Sequence, residues 1–257
     1  MTIDSSTFSL AGRRALVTGG AAGIGAAIAK SFAACGAHVA ITVHDRDADE
    51  TLDDIRSFGR RAEALEADLA TFSKDAIAQL VANAAGRLGG LDILVNNAGI
   101  IRRADALEHS WSDWRAVMSV NLDAVWLLSQ AAARHMAEHG EGRIINIASV
   151  LSFQGGIRVP GYAAAKHALV GLTRALANEW MPHGITVNAI APGYVATENT
   201  KALREDPARM RDLLARIPAG RFAEADEIAG AAVFLASPAA SYVNGSVLVV
   251  DGGWLAR

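Results

Sequence analysis

Ala15-Leu16-Val17-Thr18-Gly19-Gly20-Ala21-Ala22-Gly23-Ile24-Gly25 opens the regular part of the chain. A short aliphatic run breaks into a glycine cluster, and the small apolar stretch Ile24 to Cys35 follows with helical spacing. That is the first strand–turn–helix unit of an alternating α/β chain. Further strand-like runs are Val39 to Val43, Ala62 to Glu66, Ile93 to Val95, Arg143 to Ile147, Ile185 to Val187 and Val247 to Val250. Helical patterns fill the gaps at Ala48 to Phe58, Lys74 to Arg87, Trp111 to His139, Ala163 to Met181 and Asp226 to Ala236. Such alternation implies right-handed crossovers and a parallel sheet covered on both faces. The expected fold class is a single-domain, Rossmann-type, doubly wound α/β sheet of about seven strands, spanning residues 1–257. The least regular stretch, Val195 to Arg221, is read as a mobile substrate loop.

Composition narrows the function. The 257 residues are 51% hydrophobic and 20% charged, enough to bury a full core. With 24 Lys plus Arg against 27 Asp plus Glu, the net charge of −3 offers no field for a nucleic-acid backbone. No unbroken apolar run approaches the roughly eighteen residues of a membrane span, and Met1 to Ser6 lacks the basic start and apolar core of a signal peptide. A cytoplasmic protein is expected. The single cysteine, Cys35, excludes an internal disulfide and is read as core, and no metal site is expected.

Two local patterns carry chemistry. Glycines at the first strand-to-helix turn let a pyrophosphate approach backbone amides at the positive end of a helix. In Gly161-Tyr162-Ala163-Ala164-Ala165-Lys166, four-residue spacing on a helix stacks a phenol and an ammonium on one face. Free tyrosine titrates near 10, so a base active near neutrality needs about 4 kcal/mol of differential phenolate stabilisation, which a neighbouring cation can supply. Ser149 lies thirteen residues earlier, just after the apolar run Ile144 to Ala148.

The pattern Thr18-Gly19-x-x-x-Gly23-x-Gly25, with Asn96-Asn97-Ala98-Gly99, Ser149 and Tyr162-x-x-x-Lys166 in order, resembles the short-chain dehydrogenase/reductase family from Gly12 to Gly253. The resemblance implies a nicotinamide dinucleotide enzyme acting on a secondary alcohol or ketone. It assigns catalysis to Asn121, Ser149, Tyr162 and Lys166. Tyr162 acts as the acid/base, Ser149 holds the reacting oxygen, Lys166 serves the tyrosine and the ribose, and Asn121 anchors a water relay. It assigns cofactor contacts to Thr18, Gly19, Ala22, Gly23, Ile24 and Gly25 at the turn and to Val43 and His44 after the second strand. Asp68 and Leu69 take the adenine side, Asn97, Ala98 and Gly99 the wall, and Pro192, Gly193, Val195 and Thr197 the nicotinamide side, with Tyr162 and Lys166 completing the set.

Cofactor choice is read at the second strand's end, Val43-His44-Asp45-Arg46. Val43 stands where NAD-preferring relatives often carry an aspartate, and Ala22 supplies no cation; His44 or Arg46 could still pair with a 2′-phosphate, but Asp45 between them would oppose it, so NAD is expected ahead of NADP. Around Ile100 to Glu108, Leu151 to Pro160, Ile217 to Arg221 and Val250 to Arg257 the chain is similar to the 2-deoxy-D-gluconate 3-dehydrogenase and 2-dehydro-3-deoxy-D-gluconate 5-dehydrogenase branch of the family. A sugar acid is then the expected small-molecule partner, with Ser149, Gln154, Arg158 and Arg103 as the substrate contacts and Arg158 as the carboxylate reader. Competing readings are an NADPH-dependent 3-oxoacyl-carrier-protein reductase and a non-catalytic dinucleotide-binding scaffold. The family resemblance also implies a homotetramer paired through helices bearing Leu169, Leu172 and Leu176, with Trp254 to Arg257 as a further subunit contact.

Overall fold

Seven strands pair in parallel, in the order β3-β2-β1-β4-β5-β6-β7. The structure, a computed structural model, describes residues 5–257, so the reading of Met1 to Asp4 lies outside the described residues. The strands are β1 (Arg14–Val17), β2 (His38–Val43), β3 (Ala62–Glu66), β4 (Ile93–Asn96), β5 (Gly142–Ile147), β6 (Ile185–Pro192) and β7 (Val247–Val250). Their aliphatic runs have no polar face because helices cover both sides of the sheet. Every residue of β5 and β6 is buried, whereas the edge strand β7 is only half covered.

On one face, α1 (Gly23–Ala34), α2 (Asp49–Ser57) and α9 (Asp226–Ala236) pack Ile28, Phe32, Ile55 and Leu235 against Val17, Ile41 and Ile93. On the other, α3 (Lys74–Leu88), α5 (Ala124–His139) and α6 (Pro160–Trp180) pack Leu80, Leu128, Met136 and Leu176 against Leu16, Leu94 and Ile144. Helix ends follow local chemistry: Ser73 accepts from the Ala76 amide to start α3, and left-handed Gly89 ends it. Leu169 and Leu176 are buried inside the chain, which removes them as subunit contacts, while Trp111 and Trp126 stay exposed.

α4 (Trp111–Met118) runs through one π turn, Ser119–Asp123, into α5. This 29-residue run has the length to cross a bilayer, but half of its most apolar window is buried in the fold. The stretch read as an irregular loop instead holds α7 (Lys201–Arg204) and α8 (Pro207–Arg216). Asp206 caps α8 by accepting from the Ala208 and Arg209 amides, both at 3.0 Å. Leu213, Ile217 and Phe222 join Val150 and Trp254 in a small separate core, which seats this segment over the ends of β5 and β6.

Candidate active site

The strand order reverses between β1 and β4, so the connections leaving these two strands part and open a crevice at their C-terminal ends. There lies a cleft of about 790 Å³. Its floor is the glycine turn. Gly19 (φ +64°) and Gly23 (φ +55°) adopt left-handed backbone, and a Cβ on Gly25 would collide with the Gly19 carbonyl. α1 then begins at Ala22 with no side-chain cap, leaving its first N–H groups to the cleft. An uncapped helix start behind close-packed glycines fits a pyrophosphate.

Thr18 and Gly25 stand beneath this turn and do not line the cleft. Thr18 Oγ1 accepts from the Asn97 and Ala98 amides (3.0 Å each), and Asn97 Nδ2 donates to the carbonyls of Thr18 (2.8 Å) and Gly19 (3.2 Å). These groups staple the turn to the end of β4. Gly19, Ala22, Gly23, Ile24, Val43, His44, Asp68, Leu69, Asn97, Ala98, Gly99, Pro192, Gly193, Val195 and Thr197 all line the cleft as expected. The Asp68 carboxyl is held below its usual range by hydrogen bonds from the Thr71 hydroxyl and the Ala70 amide, so it faces the cleft as an anion.

At the end of β2 the structure overturns the premise of the NAD expectation. Asp45 sits in left-handed backbone (φ 52°), pairs with His44 Nε2 at 3.0 Å and does not line the cleft, whereas His44 and Arg46 do. Arg46 has no carboxylate within ion-pair distance among the described residues. On this side of the cleft His44 and Arg46, not the Asp45 carboxylate, face the opening.

At the other end Ser149, Tyr162 and Lys166 converge. Ser149 Oγ accepts from the Leu151 amide at 3.1 Å, which leaves its own O–H to donate toward the cleft. Lys166 is 4% exposed, and its Nζ donates to the Ile147 carbonyl at 2.6 Å while lying 5.6 Å from the centre of the Tyr162 ring. Burial lowers the Lys166 pKa to about 8. Burial also pushes the Tyr162 phenol upward, while the Ser149 hydroxyl and the Arg103 charge pull it back. The Lys166 ammonium stands beside the Tyr162 ring, and the Arg103 guanidinium adds a second positive charge that lowers the phenol.

Asn121 is fully buried in the π turn, behind the cleft wall. Its Oδ1 accepts from the Ile100 amide and its Nδ2 donates to the Ile100 carbonyl, both at 2.9 Å, so its side chain braces the segment after Gly99. Below it, Asn96 Nδ2 donates to Asn146 Oδ1 (2.8 Å) and Asn146 Nδ2 to Thr173 Oγ1 (2.9 Å), a buried polar ladder absent from the sequence reading.

Of the expected substrate contacts, Gln154 and Arg103 line the cleft and Arg103 donates to the Asn199 carbonyl at 2.9 Å. Arg158 does not line it. Its backbone is left-handed (φ 64°), and its Nε pairs with Asp105 at 3.2 Å outside the cleft. Arg209, Arg216 and Trp254 line the cleft without having been singled out as substrate groups.

A family model described as enoyl-(acyl carrier protein) reductase matches residues 19–255, and the chain belongs to the short-chain dehydrogenase/reductase family. It is an oxidoreductase acting on CH–OH groups. It is 52% identical over 252 residues to a 2-dehydro-3-deoxy-D-gluconate 5-dehydrogenase of Bacillus subtilis, covering 97% of each chain. A provisionally assigned 2-deoxy-D-gluconate 3-dehydrogenase from Agrobacterium tumefaciens, crystallised with bound NADP, superposes with a TM-score of 0.92 at 56% identity, covering 98% of this chain and 100% of that one. A gluconate 5-dehydrogenase from Burkholderia cenocepacia, in complex with NADP and tartrate, gives 0.92 at 42% identity and 98% coverage of both.

Proposed function

We propose that the protein oxidises a secondary alcohol of a deoxy sugar acid, of the 2-dehydro-3-deoxy-D-gluconate or 2-deoxy-D-gluconate type, and reduces the corresponding ketone. The observation that carries this reading is the convergence of Ser149, Tyr162 and Lys166 with the Arg103 guanidinium in one cleft whose other end is an uncapped helix start. A bound nicotinamide supplies hydride acceptance or donation at its C4. The protein manages the proton. The Ser149 hydroxyl donates to the reacting oxygen, and the Tyr162 oxygen accepts the alcohol proton, or returns it in reduction. Arg103 and the Lys166 ammonium, both cationic, favour the phenolate in that step. Asn121 contributes by holding the wall at Ile100, and the family resemblance supports its holding a water in the proton relay.

The test is a panel of 2-dehydro-3-deoxy-D-gluconate, 2-deoxy-D-gluconate, D-gluconate and a 3-oxoacyl thioester, each with NADP and NAD. Sugar acids should lead in kcat/KM; a thioester lead would replace this reading with the carrier-protein reductase.

We further propose NADP as the preferred dinucleotide, in place of the NAD expected from Asp45. His44 and Arg46 front the cleft there, and related structures carry NADP. A charge-assisted phosphate contact is worth roughly 1.5–3 kcal/mol. Arg46→Ala should therefore raise the KM for NADP by roughly 10-fold or more and leave NAD within about twofold. An equal change for both cofactors would remove Arg46 from phosphate binding.

A homotetramer is proposed on the exposed apolar side chains Leu107, Trp111 and Trp126 around α4 and α5. Sedimentation showing a 26.8 kDa monomer at micromolar concentration would reject it.

A further inference from the structure

Five arginines line the cleft: Arg46, Arg102, Arg103, Arg209 and Arg216. Arg46 serves the cofactor end. Arg102 pairs with Asp113 at 3.4 Å, and Arg103 donates to a backbone carbonyl near the reacting end. The guanidinium groups of Arg209 and Arg216, both on α8, make no hydrogen bond or ion pair within the chain among the described residues. Asp212, one turn before Arg216 and also on the cleft, stays beyond ion-pair distance of it. Both arginines act on Tyr194, where burial raises the phenol and their charges pull it down, which places them beside the residue that follows Pro192-Gly193.

Arg216 differs from Arg209 in being oriented. Its guanidinium carbon lies 3.9 Å from the centre of the Trp254 ring. Stacking occupies the flat face of a guanidinium and leaves its N–H edges free for an oxyanion. Trp254 is itself fixed: it is 4% exposed, sits edge-on to Tyr194 at 4.9 Å, and belongs to a turn held by Asp251, whose carboxylate accepts from the Gly253 and Leu255 amides at 2.8 Å each. Arg257 donates to the Ala215 carbonyl at 3.2 Å, tying the tail to the last turn of α8. The indole N–H donates to Gln154 Oε1 at 2.8 Å. Because that N–H can only donate, it fixes which way the amide of Gln154 points and leaves both Nε2 hydrogens as donors.

We propose that Arg216, held flat against Trp254, reads the carboxylate of the substrate, and that Trp254 is the positioning residue that presents Arg216 and the amide nitrogen of Gln154 together as one donor-only wall. This rests on the sugar-acid reading. It gives the last four residues a role in substrate choice within the same chain, and it moves carboxylate recognition from the Ser149–Tyr162 loop to α8.

The test is steady-state oxidation at saturating NADP of 2-dehydro-3-deoxy-D-gluconate and of a neutral secondary alcohol, by wild type, Arg216→Ala, Arg216→Lys and Trp254→Phe. Losing a charge-assisted contact should raise the KM of Arg216→Ala for the acid roughly 10-fold to 100-fold, with kcat within about threefold and the neutral alcohol within about twofold. Arg216→Lys should restore only part, since an ammonium neither stacks nor forks. Trp254→Phe keeps an aromatic face and removes the N–H, so its acid KM should rise by about threefold to tenfold. The NADP dissociation constant, unchanged in all variants, shows that the fold is intact. Equal losses on acid and neutral substrate, or an unchanged acid KM in Arg216→Ala, overturn the assignment. Should the wild type oxidise no sugar acid, the parent reading fails, and D-gluconate is then used as an inhibitor of neutral-alcohol oxidation. Inhibition weakened in Arg216→Ala supports the carboxylate site; no inhibition, or equal inhibition of both proteins, overturns it.

Discussion

Tyr162→Phe should lower kcat by at least about 1000-fold while the dissociation constant for NADP stays within about twofold. The substitution removes one oxygen and preserves the ring that packs at the start of α6. The lost oxygen is the one whose proton affinity the site sets: burial raises it, and the Ser149 hydroxyl and Arg103 lower it. With that oxygen gone, neither neighbour replaces it. Ser149 Oγ already accepts from the Leu151 amide, and its alcohol is a far weaker base than a phenolate, while Lys166 Nζ is turned to the Ile147 carbonyl. The check is kcat from progress curves together with cofactor binding by fluorescence. Turnover within tenfold of wild type would make another group the acid/base, and a large loss of cofactor binding would make the ring a binding element instead.

Why Tyr162 and Lys166 were readable from sequence while Arg158 was not is a matter of backbone. In α6 the four-residue spacing determines relative direction, so two letters suffice to place two side chains on one face. The glycine turn was readable for a similar reason, because a strand, a required φ > 0 and a helix start leave one arrangement. Arg158 and Asp45 are non-glycine residues in left-handed backbone, and there neighbours in sequence no longer tell where a side chain points. Each turned out to pair locally, with Asp105 and His44, outside the cleft. The wall of Arg216, Trp254 and Gln154 draws on three segments, 100 residues apart for Gln154 and Trp254, so no local pattern could have joined them. The polar stretch after Val195 looked irregular because its charges face solvent or the cleft; its few apolar positions, Leu213 and Ile217 among them, are what seat the helices.

On the role that the family resemblance implies, one ammonium for both tyrosine and ribose, Lys166→Ala should lower kcat by roughly 100-fold or more and also raise the NADP dissociation constant by about tenfold. The ammonium is buried with the Ile147 carbonyl as its hydrogen-bond acceptor, and burial lowers its pKa to about 8. Cofactor binding that uses the charged form must therefore recover a proton above that pH. In the wild type, NADP affinity should fall as pH rises past about 8, by up to tenfold per pH unit, until the higher pKa of the complex is reached. Stability of the unliganded protein should move in the opposite direction. The unfolded lysine titrates near 10.5, so between about 8 and 10.5 the unfolded chain holds more protons and the fold gains stability as pH rises. Lys166→Met keeps the length and apolar bulk of the side chain without the charge, and should abolish both slopes. Titrating NADP into wild type and Lys166→Met from pH 7 to 9.5, with thermal melts of the same unliganded samples, separates the two effects. If the wild-type affinity is flat across that range, the ammonium does not contact the cofactor and Lys166 acts on Tyr162 alone.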